Sequence, residues 1–159
     1  MFFISIIILI ISYSIFKIFL DIHQIKYIRS SQITDEELES INLTQEYVKK
    51  SKAYNIEKLN MSVFNTLIKS TMIIIFLSFD GMSILMKITA LVNIFSFNIE
   101  IVNIILFIIF LTLIDLPISY YKTFVIEKAH GFNRQSKSLF FKDFILSLIL
   151  SLIIFSILF

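Results

Sequence analysis

Long apolar runs separated by short charged stretches make up this chain, and the run lengths predict its elements. Residues 2–20 read FFISIIILIISYSIFKIFL. A helix rises about 1.5 Å per residue, so about 20 apolar residues cross the hydrocarbon of a bilayer. The single charge in this run, Lys17, stands close enough to one end to snorkel. Residues 139–159 form a second clear span, with Lys142 and Asp143 near its start and no charge after them. Residues 99–118 are apolar apart from Glu100 at one end and Asp115 near the other. Residues 61–79 carry Lys69 but close on the run MIIIFLSF. The segment 80–98 is apolar yet interrupted, and predicts a loop with an interfacial helix. The pattern therefore predicts an all-α, multi-pass membrane protein with about four spans, near 2–20, 61–79, 99–118 and 139–159. The first run has no basic leader and no small-residue cleavage site, so it reads as a span and not as a signal peptide.

Residues 21–60 are polar enough to lie outside the membrane. Thr34 with Glu37 three residues later makes a capping box, and Asp35 and Glu36 also favour a helix start. Lysines gather towards the far end, where the helix dipole prefers cations. The expectation is a helix over roughly 35–58, with a break near Asn42. No internal repeat and no low-complexity linker interrupts the chain.

Composition sharpens this picture. The 159 residues leave room for one domain, read as a single membrane domain over 1–159. They are 57% hydrophobic, above the roughly 45–50% apolar share of soluble domains. Phe 18 with Trp 0, and Gly 2 with Pro 1, leave little turn chemistry for a compact soluble fold. The absence of cysteine removes disulfides, thiolate metal sites and a cysteine nucleophile. A net charge of +2 is too small to point to nucleic acid, so the expected partner is the lipid bilayer.

The distribution of lysine and arginine gives an orientation. The first loop carries Lys26, Arg29, Lys49, Lys50, Lys52 and Lys58, and the third carries Lys122, Lys128, Arg134 and Lys137. Between the second and third spans stands only Lys87. The expectation is an N-terminus outside, with the first and third loops cytoplasmic, in a bacterial plasma membrane or the endoplasmic reticulum.

Catalytic motifs are missing. The sequence has no H-E-x-x-H zinc helix, no G-x-S-x-G, no phosphate-cradling glycine loop and no G-x-G-x-x-G. Glu127 and His130 have the Glu-x-x-His spacing of di-metal bundles, but those need a second such pair and further glutamates. A polar helix end at the membrane surface explains the pair as well.

One stretch concentrates the unusual residues. Residues 115–134, DLPISYYKTFVIEKAHGFNR, hold the only proline, one of the two glycines and one of the two histidines. Pro117 removes an amide donor and is expected to kink the helix. Asp115 lies near hydrocarbon depth, where ionisable groups face protein or water. Tyr120, Thr123, Glu127, His130 and Arg134 recur at helical spacing on one face. Gly131 suits the left-handed position that stops a helix. An aromatic and basic belt at the membrane surface is the other reading.

The pattern D-L-P-x-S-x-Y-x-T-F-V-I-E-x-x-H-G-F-N, continuing into LFFKD at 139–143, resembles the N-terminal membrane region of type I CAAX prenyl proteases. The layout is similar too: an N-terminal span, a charged loop, a second span, then this stretch. Lys128 and Ala129 depart from the family pattern, whereas Glu127, His130, Gly131, Phe132 and Asn133 stay in register. The resemblance implies an all-helical membrane zinc metalloendopeptidase that acts on prenylated precursors, its spans enclosing a water-filled chamber. It implies that zinc is held by an H-E-x-x-H helix and a later glutamate, C-terminal to the region seen here. On that reading this chain holds no cofactor and no catalytic residues, and is a fragment, a truncated gene product or a remnant. Its partners would be the missing catalytic region and prenylated or membrane-protein substrates. Asp115, Pro117, Tyr120, Glu127, His130, Gly131, Phe132, Asn133 and Arg134 would form a corner of the chamber wall. A stand-alone membrane scaffold or a transport module is the alternative.

Overall fold

The computed structural model describes residues 2–34, 38, 43–92 and 99–158. Five α-helices run through them: α1 (Phe2–Ser30), α2 (Gln45–Ser78), α3 (Gly81–Val92), α4 (Ile99–Tyr121) and α5 (Lys137–Leu158). By length and composition, Phe3–Ser30, Gln45–Ser78 and Ile101–Glu127 can each cross a bilayer. α5 runs over 22 residues where the sequence predicts a span near 139–159, whose last residue lies outside the described residues.

Two boundaries differ from the sequence expectation. The first helix does not end near residue 20 but continues through Asp21, Lys26 and Arg29 to Ser30. Helix propensity needs no apolar side chains, and no glycine or proline interrupts this segment. Similarly, residues 45–58 of the polar helix expected over 35–58 run without a break into the span expected over 61–79, as one helix of 34 residues. At about 1.5 Å per residue α2 is about 51 Å long, well over the roughly 30 Å of hydrocarbon. The helix is thus longer than one crossing needs, and its first turns, with Lys49, Lys50 and Lys52, are its most charged part. Its N-cap is Thr44, whose hydroxyl accepts from the Tyr47 amide at 3.3 Å. The capping box at Thr34–Glu37, and the break expected near Asn42, lie outside the described residues.

The turn from α2 into α3 explains the second glycine. Asp80 takes a left-handed φ of 54°, and the chain reverses there. A Cβ on Gly81 would stand 2.4 Å from Cδ2 of Phe76, so α3 can start this close to α2 only with glycine. Where a loop with an interfacial helix was expected, α3 is a short apolar helix of 12 residues. The buried Thr89 hydroxyl donates to Asn103 Oδ1 at 2.6 Å and pins α3 to α4.

Along α1 the polar Ser14 and Asp21 are turned inwards and most of the apolar side chains outwards. On α1 the buried positions are Ser14, Asp21 and Ile25, which face α2, while Ile8, Leu9, Ile15, Phe16 and Phe19 are exposed. Helices in lipid associate through small and polar groups, because lipid already solvates the apolar faces. α2 also packs against α4, and α5 leans on the end of α4, with Phe140 also meeting Phe124 just beyond it.

Candidate functional site

Polar groups cross the α1–α2–α4 interfaces as a continuous seam. Ser14 and Ser70 bring their hydroxyls within 2.5 Å of each other. Towards the chain's charged loops, Lys17 donates to Asp21 Oδ1 at 2.5 Å, and Ser62 donates to Asp21 Oδ2 at 2.8 Å. Asp21 is 2% exposed with both oxygens satisfied, as a buried carboxylate must be. On the α4 side Lys69 donates to Asp115 Oδ2 at 2.5 Å. Asp115 Oδ1 and Asn65 Oδ1 are buried and lack partners among the described residues. A groove of about 520 Å³ opens along the seam, lined by Lys17, Ser62, Asn65, Thr66 and Lys69 at its polar part and by Leu9 and Ile73 at its apolar part.

The seam continues into the corner at residues 120–134. The backbone passes through Pro117 without ending the helix, and five residues on it widens into a π-helical stretch, Lys122–Glu127. Such stretches are uncommon, and each inserts an extra residue that re-aims the side chains beyond it. The face expected to unite Tyr120, Thr123, Glu127, His130 and Arg134 is accordingly divided. Tyr120 turns to α5, its ring 4.7 Å from Phe124 and 5.7 Å from Phe140, with Lys137 over it at 6.0 Å. His130 turns to α2, where its Nε2 lies 3.0 Å from Glu57 Oε2 and its ring meets Tyr54 edge-on at 5.5 Å. Phe132 packs on the same tyrosine at 4.7 Å.

Gly131 has φ +77° and takes the left-handed position after the helix end. Its amide donates to Lys128 O, and the Phe132 amide donates to Glu127 O at 2.8 Å, the paired bonds of a Schellman stop. Asn133 donates its amide to the same Glu127 carbonyl and accepts from the Gln135 amide at 2.6 Å through Oδ1. Ser136 then starts α5 by accepting from the Leu139 amide. Arg134 is exposed at the tip of the turn. Thus Glu127 and Gly131 shape the corner through backbone bonds, Asn133 through its amide and its Oδ1, and His130 and Phe132 fasten it to α2.

Several members of this site carried little sequence signal. The i,i+4 spacing of Lys17 and Asp21 could have suggested their pairing, which holds Lys17 inside the seam. Lys69 as the partner of Asp115, and Glu57 as the partner of His130, are contacts across helices 46 and 73 residues apart in sequence.

A catalytic zinc needs three protein ligands. Among the described residues no three histidine or acidic side chains come together, and the one histidine–carboxylate pair, His130–Glu57, leaves such a set incomplete. The described residues do not fit the metal that the resemblance implies for a full-length relative.

Comparison with known proteins matches residues 24–159 to the family described as CAAX prenyl protease N-terminal, five membrane helices. The human CAAX prenyl protease 1 homolog is 32% identical over 108 residues, covering 64% of this chain and 23% of that protein. The homolog from Oryza sativa is 52% identical over 40 residues, or 25% of this chain and 9% of that protein. The crystal structure of S. mikatae Ste24p superposes with a TM-score of 0.83 at 26% identity, over 96% of this chain and 36% of that one. The chain thus spans well under half the length of each of these relatives. With an all-helical membrane fold, a family match over most of its length and a solved relative of the same architecture, the chain belongs to the CAAX prenyl protease N-terminal family.

Proposed function

We propose that this chain forms the N-terminal wall of a membrane chamber in a CAAX-type zinc metalloendopeptidase, with the α1–α2–α4 seam turned towards the chamber. The observation that carries this reading is the Lys69–Asp115 pair at the seam, with a second carboxylate oxygen buried and unpartnered. Ionisable groups within membrane helices face a protein interior or a water-filled space. The corner at 127–134 then borders the catalytic region, which supplies the zinc ligands and acts on a prenylated peptide. The chain by itself retains no stoichiometric zinc and cleaves no such peptide. Joined to the zinc-bearing remainder of a family member, it supports cleavage. In that assembled protein Asp115→Asn, Glu127→Ala and Asn133→Ala each lower cleavage of a prenylated peptide while the protein still inserts, Glu127→Ala through loss of its carboxylate alone since alanine keeps the carbonyl that holds the turn, and Ile108→Leu leaves it unchanged. Equal rates in all four variants would reduce the corner to an interfacial belt. One tightly held zinc per isolated chain would overturn the division of labour.

The orientation belongs to the same proposal. The lysines on the first turns of α2, together with Lys122 and Lys128 after α4, support cytoplasmic first and third loops. Cysteines introduced at Ser51 and Ser138 are therefore expected to react with an impermeant maleimide only from the cytoplasmic side, and one at Ser83 only from outside. Labelling of Ser51→Cys from outside would reverse the topology.

A further inference from the structure

The face of α2 turned away from the Lys17–Asp21 seam carries a different cavity. An apolar groove of about 530 Å³ runs between α2 and α4, with Phe64, Met72, Phe110 and Leu113 among its walls. At one end Met61 and Ile118 are shared with a smaller cavity of about 200 Å³, where the lining changes to Lys58, Lys122, Ser62 and Asn65. No carboxylate lines either cavity. The neighbouring acids are already engaged: Asp115 by Lys69, Asp21 by Lys17 and Ser62, Glu57 by His130. Among the described residues Lys58 and Lys122 have no carboxylate partner, and Lys58 rests 5.8 Å from the Tyr54 ring. Two unneutralised ammonium groups thus stand at the mouth of an apolar trough.

The dimensions suit one kind of occupant. From Met61 to Met72 the groove follows α2 for 11 residues, about 16 Å at 1.5 Å per residue. That is close to half of the roughly 30 Å hydrocarbon thickness, or one leaflet. Its volume lies within the roughly 300–1,000 Å³ range of small-molecule sites. The basic end coincides with the point where the helices leave their apolar runs, as headgroup depth requires, and Tyr121 lies on the groove there. Basic pockets between membrane helices bind anionic headgroups. We propose that the composite α2–α4 cavity is a binding site for an anionic glycerophospholipid, with one acyl chain in the groove and its phosphate between Lys58 and Lys122. Asn65 and Ser62 add polar lining beneath the phosphate. The site shares only Ser62 and Asn65 with the α1–α2 groove and does not depend on any proteolytic role.

The test is titration of the purified chain, in a neutral detergent, with phosphatidylglycerol and with phosphatidylcholine of the same acyl chains, read by native mass spectrometry. Phosphatidylglycerol is expected to bind one per chain and more tightly than phosphatidylcholine. The double variant Lys58→Gln/Lys122→Gln is expected to lose about 20–30-fold in affinity for phosphatidylglycerol and little for phosphatidylcholine. Lys58→Arg/Lys122→Arg should stay within a few-fold of the parent, and Lys49→Gln, on the same helix but outside both cavities, should match it. Leu113→Trp fills the trough and should weaken both lipids. If the double glutamine variant does not fold, the single variants Lys58→Gln and Lys122→Gln carry the comparison. Equal affinity for the two lipids, or no loss in the glutamine variants, would overturn the proposal. Displacement of phosphatidylglycerol by millimolar inorganic phosphate, with no effect of Leu113→Trp, would assign the lysines to a free anion instead.

Discussion

Lys69→Leu is expected to destabilise the helix assembly by about 2–3 kcal/mol, while Lys69→Leu combined with Asp115→Leu recovers most of that loss. The physical reason lies in what each change leaves behind. Removing the ammonium alone strands Asp115, whose Oδ1 is already buried without a partner, at the α2–α4 interface. An uncompensated acid at the centre of a span costs roughly 2.5–3.5 kcal/mol on insertion scales. The side chains of the pair retain 37% and 38% exposure, so solvent screening moderates the penalty. Replacing both members with apolar groups removes the stranded charge together with the pair, and such swaps are often neutral or better. Lys69→Arg keeps the charge and should cost less than Lys69→Leu. Unfolding of the parent, Lys69→Leu, Asp115→Leu and the double variant in mixed micelles gives the coupling energy directly by a double-mutant cycle. Strictly additive losses from Lys69→Leu and Asp115→Leu would show that the pair is a bystander, and the seam would lose its strongest member.

That ion pair also marks the limit of what the sequence made legible. The existence of spans could be read from run length, because the bilayer imposes a length on any helix that crosses it. The stop at Gly131 was readable for a similar reason: a local constraint on φ leaves a local signature. The boundaries of α1 and α2 were not, because hydrophobicity marks where the membrane ends and helix formation does not stop there. Nothing between Lys58 and Met61 breaks a helix, so the water-exposed and membrane parts of α2 run on as one rod. The partner of Lys69 needed the packing of α2 against α4, which no pattern within either helix specifies. The division of the corner face was hidden for another reason. A 3.6-residue period placed Tyr120 and His130 together, and the π-helical stretch at Lys122–Glu127 takes them to different neighbours. The residues that resemble the family motif were in view from the start, but their separate duties appeared only with the fold. Tyr120 binds α5, His130 and Phe132 bind α2, and Glu127 holds the turn by its carbonyl.

The turn itself yields the last prediction. A substitution at Gly131 should destabilise the corner in the order Asn, then Ala, then Val, with alanine costing about 1–2 kcal/mol. Crowding is not the cause, since an added Cβ would meet nothing closer than Lys50 Nζ at 3.8 Å. The cost is conformational: at φ +77° any L side chain with a Cβ pays against its own backbone, and a β-branched one pays most. Asparagine visits this region more readily than other residues and should be the mildest change. If valine forces φ negative, the Phe132 and Gly131 amides lose their carbonyls on Glu127 and Lys128, and the chain leaves the helix in another direction. His130 and Phe132 would then come off Tyr54, and the 3.0 Å contact with Glu57 would open. Two measurements track this together: thermal unfolding of the purified chain, and hydrogen exchange at the amides of residues 130–133. Exchange should accelerate there in Gly131→Val before any change in α1, because α1 has no part in the turn. Unchanged exchange in Gly131→Val, or equal stability of the valine and asparagine variants, would show that the left-handed stop does not hold the corner to α2.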